Sequence, residues 1–428
     1  MIDVVLSQDQ ELAWDKIKSG KNLFVTARAG AGKSFLIDFI KENFMGRVIT
    51  TASTGIAANN VGGRTLHSQF LISTSKMDAQ ESANKVDAGK RGILLRSAKL
   101  LIIDEISMVS DALLECVNRI CQLVRNSDEP FGGLQVAFFG DFLQLPPVFK
   151  NESKNDRICL GCDCWNKAGI EIVLMTKNFR QKDDEQFFKL LTRLRYNRLN
   201  EDDIKLIQSR QIPAPDTAVR LYALNAEVGR LNRFKYAKLD ESTEHTYDWT
   251  IWGEDQARVD AFKRDSLFEE KLSLRVGARV MMLVNEETEE GYLYNGALGE
   301  VVEFNNGQPV VMFDSGIKRR LEPREISITE KDDYGRIRVL VSCTQIPLKL
   351  AWACTVHKMQ GMSVDTAFID CSSMFVRGQL YVALSRVRHL SGVFISGFNP
   401  NMEAARSDAN LVDFYSAMEQ EAFERDNT

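Results

Sequence analysis

Five continuous apolar runs punctuate the first 175 residues: NLFVTA, RVITTAS, KLLIIDE, LQVAFFGD and EIVLMT. They do not alternate with polar residues and are rich in β-branched side chains, the pattern of strands buried on both faces. Amphipathic stretches lie between them. In DALLECVNRICQLV, for example, Leu113, Leu114, Val117, Ile120, Cys121 and Val124 fall on one helical side. Strands alternating with helices predict right-handed crossovers and a parallel sheet.

From residue 176 a second α/β series begins with the helix DEQFFKLLTRLR and the strand AVRLYAL. It resumes at PLKLAWACTV, DTAFIDCS, the helix GQLYVALSRV and the strand GVFISGF. Between its halves, over 232–345, the pattern changes to short strands and turns: RVGARVMMLVN, LGEVVEF, PVVMFD and IKRRLEP. Asn295-Gly296 is taken as the strongest hairpin signal there. The reading is α/β: a first lobe at 1–175, a second at 176–231 and 346–428, and a β-barrel-like insertion at 232–345. The polar stretch 73–90 reads as an exposed arm inserted in the first lobe.

The 428 residues, 44% hydrophobic and 26% charged, suit a globular protein of several folding units. No apolar run approaches the roughly 20 residues that cross a bilayer, and the opening MIDVVLSQDQELAW resembles neither a secretory signal nor a transit peptide. A cytoplasmic protein without a membrane partner is expected. Cys159, Cys162 and Cys164 cluster in CLGCDC without a second Cys or His pair at zinc spacing, so free thiols are expected. The net charge of −5 disfavours nucleic acid only on average, because a local basic stripe is what matters. Arg180–Arg198, KRR at 318–320 and His357-Lys358 are such stripes, and each is equally well a solvated face.

The chemistry concentrates in TARAGAGKS, which follows a strand and precedes a helix. In that context backbone N–H groups of residues 30–34 face phosphates, and Gly30 and Gly32 let the backbone turn and approach closely. Lys33 would neutralise β- and γ-phosphates and Ser34 would ligate Mg2+. Ala27 stands where the usual pattern has its first glycine, and a negative φ is predicted there. In LLIIDEIS a buried strand runs into Asp104, a Mg2+ carboxylate, and Glu105, a base for the attacking water. Gln144, fixed before Pro146-Pro147, is placed to bond the γ-phosphate.

The ordered series TARAGAGKS, TASTGIAA, GGRTLHSQF, LLIIDEISMV, GDFLQLPPV, KNFRQ, TVHKMQGMSVD and YVALSRVR resembles the superfamily-1 helicases, and most closely the petite-integration-frequency (PIF) family of 5′→3′ DNA helicases. The resemblance spans about 6–398, and the short start is similar to compact bacterial or viral members, which implies a bacterial nucleoid-associated protein. It implies two RecA-like P-loop lobes, the insertion being SH3-like and 73–90 standing where a strand-separating wedge is expected. It further implies ATP and Mg2+ as cofactors, Ala29, Gly30, Ala31, Gly32, Lys33, Ser34 and Phe35 around the nucleotide, and Gln10 reading adenine. Arg180 and Arg386 would be arginine fingers.

Single-strand contacts would come from Thr54, Gly55, Thr65, His67, Thr355, His357, Lys358 and Ser363, with Asn225 in a further family segment and Phe70 as a base-stacking ring beside His67. The implied activity is ATP-driven 5′-to-3′ translocation on single-stranded DNA and unwinding of forked or tailed duplex by a monomer, in replication, repair and telomere maintenance. Two alternatives share the phosphate loop: an RNA-directed motor of the same superfamily, and a nucleotide-dependent protein switch.

Overall fold

The computed structural model describes residues 6–426 apart from 74–76, 148–156, 182, 254–255, 267, 289, 294 and 332–336. Its contacts group into two compact units, Met1–Phe179 with Ile328–Arg338 and Ala409–Thr428, and Arg180–Ser327 with Val339–Asp408.

The first unit is built on six strands: β1 (Leu23–Ala27), β2 (Arg47–Ala52), β3 (Arg64–Thr65), β4 (Ala98–Asp104), β5 (Gln135–Gly140) and β6 (Glu171–Met175). They form one sheet in the order β3-β2-β4-β5-β1-β6, parallel throughout. The five apolar runs are thus five of its strands. On one face Leu23, Val25, Leu100, Ile102, Ala137 and Phe139 pack beneath helices α1 (Gln8–Lys18) and α2 (Lys33–Asn43), with Ile17, Leu36 and Ile40 fully buried. On the other face Phe24, Phe138 and Phe142 surround Trp165, whose ring stacks on Phe138 at 5.0 Å. The helix Asp111–Arg125 buries all six residues of its expected stripe, and Cys116 and Asn118 besides.

Parallel register brings the strand ends level. Thr26 pairs with Gly140, and Ala52 pairs with both Asp104 and Thr65. The carboxyl ends of β1, β5, β4, β2 and β3 therefore make one continuous edge, where open α/β sheets bind ligands.

Two expectations for this unit are corrected. Residues 79–87 are not an exposed arm but a helix, Ala79–Asp87, capped by Asp78 and packed on Asp111–Arg125 with Ser82, Ala83 and Val86 buried; positions 74–76 lie outside the described residues. The final helix, Ala409–Asp426, groups with the first unit rather than the second lobe. Its buried Tyr415 reaches Thr26, and its Glu419 is ion-paired with Arg28.

In the second unit Ala353–Thr355, Val219–Tyr222, Ala367–Asp370 and Val393–Ser396 form a four-stranded parallel sheet in that order. A five-stranded antiparallel sheet runs Lys318–Arg320, Gln308–Phe313, Leu298–Asn305, Arg279–Met282, Leu348–Leu350, around Val280, Val301, Val311, Phe313 and Leu348. Part of PLKLAWACTV thus belongs to the antiparallel sheet.

The hairpin signal is corrected as well. Asn306 (φ 50°) and Gly307 (φ 76°) form the two-residue turn between Asn305 and Gln308, the left-handed pair that a tight hairpin needs. Asn295-Gly296 instead joins strands of different sheets, and a Cβ on Gly296 would lie 3.2 Å from the Ser363 carbonyl oxygen and 3.3 Å from Met362 Cβ. Gly296 therefore serves close approach as well as positive φ. Gly307→Ala, with open space around it, should cost only the left-handed penalty of about 1 kcal/mol. Gly296→Ala should cost more, because crowding adds to a φ of +97°. Denaturant titration of both variants decides this, and equal losses would show that the Met362-Ser363 contact carries no energy.

Candidate functional site

TARAGAGKS closes β1 and opens α2. Ala27 is the last residue of the strand, fully buried and not among the positive-φ residues, so its methyl group is accommodated as expected. The left-handed positions are Gly30 (φ 82°) and Gly32 (φ 85°), and Gly32 caps α2. The ammonium of Lys33 donates to the Ala27 carbonyl oxygen at 3.0 Å, while Ser34 and Phe35 are exposed at the helix start and Ala29 and Ala31 are buried. The loop is braced from β6: Phe179 N–H donates to the Gly30 carbonyl oxygen (2.9 Å) and Asn178 Nδ2 to that of Ala29 (3.1 Å).

Gln10 lies against this loop. Its Oε1 accepts the Ser7 N–H at 2.9 Å and its Nε2 faces the Gly32 carbonyl oxygen at 3.4 Å. Phe179, 45% exposed, sets a ring edge beside Gly32. An open aromatic next to a buried carboxamide suits a planar base.

Asp104 ends β4 with its carboxyl buried, and its Oδ1 accepts the Glu105 N–H at 2.9 Å. Burial above all, and then the charge of Glu105, push its pKa up to about 7 against the opposing pull of Lys33. Glu105 itself adopts φ 50°, ψ 48°, a left-handed conformation that a non-glycine residue holds at about 1–2 kcal/mol. The end of β5 allows this turn to come close: a Cβ on Gly140 would meet Ile106 N at 2.9 Å.

Beyond Gly140 stands Asp141, fully buried, which the sequence reading did not single out. Its Oδ1 accepts the Leu143 N–H and its Oδ2 accepts Gln144 Nε2, each at 3.1 Å, so Asp141 holds Gln144 in place. A further hold comes from Tyr415. Its hydroxyl accepts the Phe142 N–H at 3.0 Å and is hydrogen-bonded to Thr26 Oγ1 at 2.8 Å. One hydroxyl thus ties the strand feeding the phosphate loop to the loop carrying Gln144. No local pattern marks Tyr415, whereas an acid directly after the strand end at Gly140 was a usable signal for Asp141.

The expected strand contacts of the first unit gather on the same edge. Thr54 and Gly55 follow β2, and Thr65 closes β3; the two threonine oxygens accept the Ala57 and Ser68 N–H groups at 3.2 Å, which fixes both side chains at the strand ends. His67 is partly exposed in Leu66–Phe70. Phe70 is a correction: it is 0% exposed, packed in the core, and cannot stack on a base there.

In the second unit Thr355 ends its strand and accepts the Lys358 N–H at 3.3 Å. Next to it lie His357, whose pKa burial lowers, exposed Lys358, and partly exposed Ser363. Asn225 is exposed at the start of Asn225–Tyr236. Arg180 and Arg386 meet at Ser385: Arg180 Nη1 donates to its carbonyl oxygen and Arg386 Nη2 to its hydroxyl, both at 2.9 Å. The stripe at 318–320 proves compensated, and 180–198 is so in part. Lys318, Arg319 and Arg320 pair with Glu303, Glu286 and Glu322, and Arg193 with Asp203.

A glycine loop, a buried acid and a fixed carboxamide on neighbouring ends of a parallel sheet define a P-loop nucleotide-binding protein. The description "PIF1-like helicase" matches residues 5–204. The ATP-dependent DNA helicase Pif1 of Bdellovibrio bacteriovorus is 33% identical over 421 residues, covering 97% of this chain and 93% of its own. That of Xenopus laevis is 33% identical over 97% of this chain, which spans 65% of the frog protein. Among solved structures, Bacteroides sp Pif1 in complex with ADP-AlF4 superposes with a TM-score of 0.84 at 34% identity over 98% of both chains. Bacteroides Pif1 bound to ssDNA superposes at 0.65 and 33%, again over 98% of each. The chain belongs to the PIF1-like helicase family.

Tyr415→Phe removes two buried hydrogen bonds, and a stability loss of about 1–3 kcal/mol is expected in thermal or denaturant unfolding. ATP turnover should fall while the KM for ATP changes little, because the loops are displaced rather than their phosphate donors removed. A variant with normal turnover would show that the Tyr415 bridge does not position Gln144.

Proposed function

We propose that this protein is an ATP-driven DNA motor that steps 5′ to 3′ on single-stranded DNA as a monomer in the cytoplasm and unwinds forked or tailed duplex. The observation that carries the reading is Ala52, whose strand pairs with Asp104 on one side and Thr65 on the other. The acid of the nucleotide site and the loops suited to phosphates of a strand are thereby neighbours on one rigid edge. A change at Asp104-Glu105 is one strand away from Thr54 and two from Thr65.

Each residue takes a role from its position. Lys33 and the N–H groups of Gly30–Ser34 hold β- and γ-phosphates, and Gln10 with Phe179 flanks the base. The residues fit a divalent cation: exposed Ser34 offers a hydroxyl, and buried Asp104 is a carboxylate whose charge burial and Glu105 disfavour and a cation would restore. Mg2+ held there supplies charge neutralisation of the phosphates. Glu105 takes the proton of the attacking water, Gln144 orients against the γ-phosphate, and Arg180 and Arg386 serve as arginine fingers. Thr54, Gly55, Thr65 and His67 in one unit, and Asn225, Thr355, His357, Lys358 and Ser363 in the other, contact the strand without reading sequence. We read the two parallel sheets as RecA-like and the antiparallel sheet as an SH3-like module.

Single-stranded DNA should raise the ATPase rate strongly, and a duplex with a 5′ tail should be displaced in preference to one with a 3′ tail. An unchanged ATPase rate would remove the motor reading, and a 3′ preference would reverse its direction. Glu105→Gln should still bind ATP yet lose turnover by about 100-fold or more. Protons compete with the cation for Asp104, so more Mg2+ should be needed for half-maximal activity below about pH 7 than above it. Mg2+ titrations on either side of that pH test this, and a flat requirement would separate Asp104 from the cation.

A further inference from the structure

The CLGCDC segment gains a partner that its sequence does not disclose. Glu115 lies in the second turn of Asp111–Arg125, and one oxygen of its carboxylate accepts the Cys164 N–H at 2.7 Å. The Cys162 and Cys164 sulfurs are 3.5 Å apart, and one ligand atom from each of Glu115, Cys162 and Cys164 lies within 4.8 Å of the others. Among the described residues this is the group of His, Cys, Asp or Glu side chains close enough to share an ion. Two thiols in a C-x-C spacing come from one strand of chain and the carboxylate from a helix elsewhere, so the cluster is made by the fold.

We propose that Glu115, Cys162 and Cys164 form a site for one borderline-soft divalent cation of the Zn2+ class, with a fourth position open to water. Tetrahedral zinc with Zn–S near 2.3 Å sets its two sulfurs roughly 3.8 Å apart, so the observed pair needs only a small opening to receive it. Sulfur ligands select against Mg2+ and Ca2+, which take oxygen. Cys164 is 1% exposed while Cys162 is partly exposed, which gives the ion an entry side and the buried sulfur shelter. On binding, M2+ displaces the two S–H protons to solvent and leaves two thiolates and one carboxylate around it, with no redox partner needed. The sulfur separation is far beyond the ~2.05 Å of a disulfide, so the pair is a dithiol.

The site would act as a clip. Cys159, three residues earlier, donates its N–H to the Val109 carbonyl oxygen at 3.3 Å and its thiol to that of Ile106 at 3.5 Å. Ile106 follows Glu105 directly. Loading the ion fastens this segment to the Glu115 helix, behind the acid pair and outside the nucleotide site. The proposal is independent of DNA stepping.

The test is spectroscopic titration of the full-length chain with Co2+ after chelator treatment in a phosphine reductant. One equivalent should produce a thiolate-to-cobalt charge-transfer band with release of protons, and Zn2+ should abolish the band. Cys162→Ser and Cys164→Ser should each lose it, whereas Cys121→Ser, a buried thiol of the Glu115 helix, should keep it. Glu115→Gln retains an acceptor for the Cys164 N–H, so it should fold, keep a sulfur band and bind more weakly. Circular dichroism confirms that each variant is folded. Absence of the band at one equivalent, its persistence in Cys164→Ser, or two fewer titratable thiols in the reduced protein would overturn the proposal.

Discussion

A carboxyl group buried at the end of a parallel strand imposes conditions on everything near it. Asp104 is buried and faces Glu105 as well, so its charged form leans on what the fold supplies, including one backbone N–H and the ammonium of Lys33. The order of the sheet supplies them, because β4 and β1 are separated by β5 alone. That intervening strand also delivers Asp141 and Gln144 to the same edge. The site is therefore a consequence of strand order more than of any one loop, and the acid is costly until a cation shares it.

Much of this was legible in the sequence. Buried parallel strands declare themselves as unbroken apolar runs, and glycines at 30 and 32 were required by left-handed backbone that only they adopt cheaply. The tolerance of Ala27 followed from its place within a strand. Other features were hidden for physical reasons. The helix Ala79–Asp87 buries Ser82 and Ala83, small residues whose packing leaves no apolar stripe to detect. Phe70 looked like a stacking ring because it stands near His67, but which side of a five-residue helix is buried depends on the helices packed over it. The two Asn-Gly pairs are chemically identical, and only the pairing of flanking strands distinguishes the hairpin at 306–307 from the close approach at 295–296.

Charge was the least informative property. A net charge of −5 does not by itself exclude a polyanionic partner, because local charge and directed hydrogen bonds decide the contact. The densest basic run, 318–320, is matched by carboxylates, and the candidate strand contacts include the hydroxyls of Thr54, Thr65 and Thr355 at or just after strand ends. Such groups grip phosphates through directed hydrogen bonds, with a shallower dependence on salt than a lysine-lined groove would give.

The hydroxyl of Tyr415 meets Thr26 across 389 residues of chain. A contact of that span becomes possible only late as a polypeptide leaves the ribosome, and closing so long a loop carries an entropic cost that nearby strands never meet. The first sheet can assemble early, yet its phosphate loop is fully tethered only after the second unit has been made. The order of synthesis thus delays a finished nucleotide site until the helix Ala409–Asp426 has been made, long after the strands that it fastens.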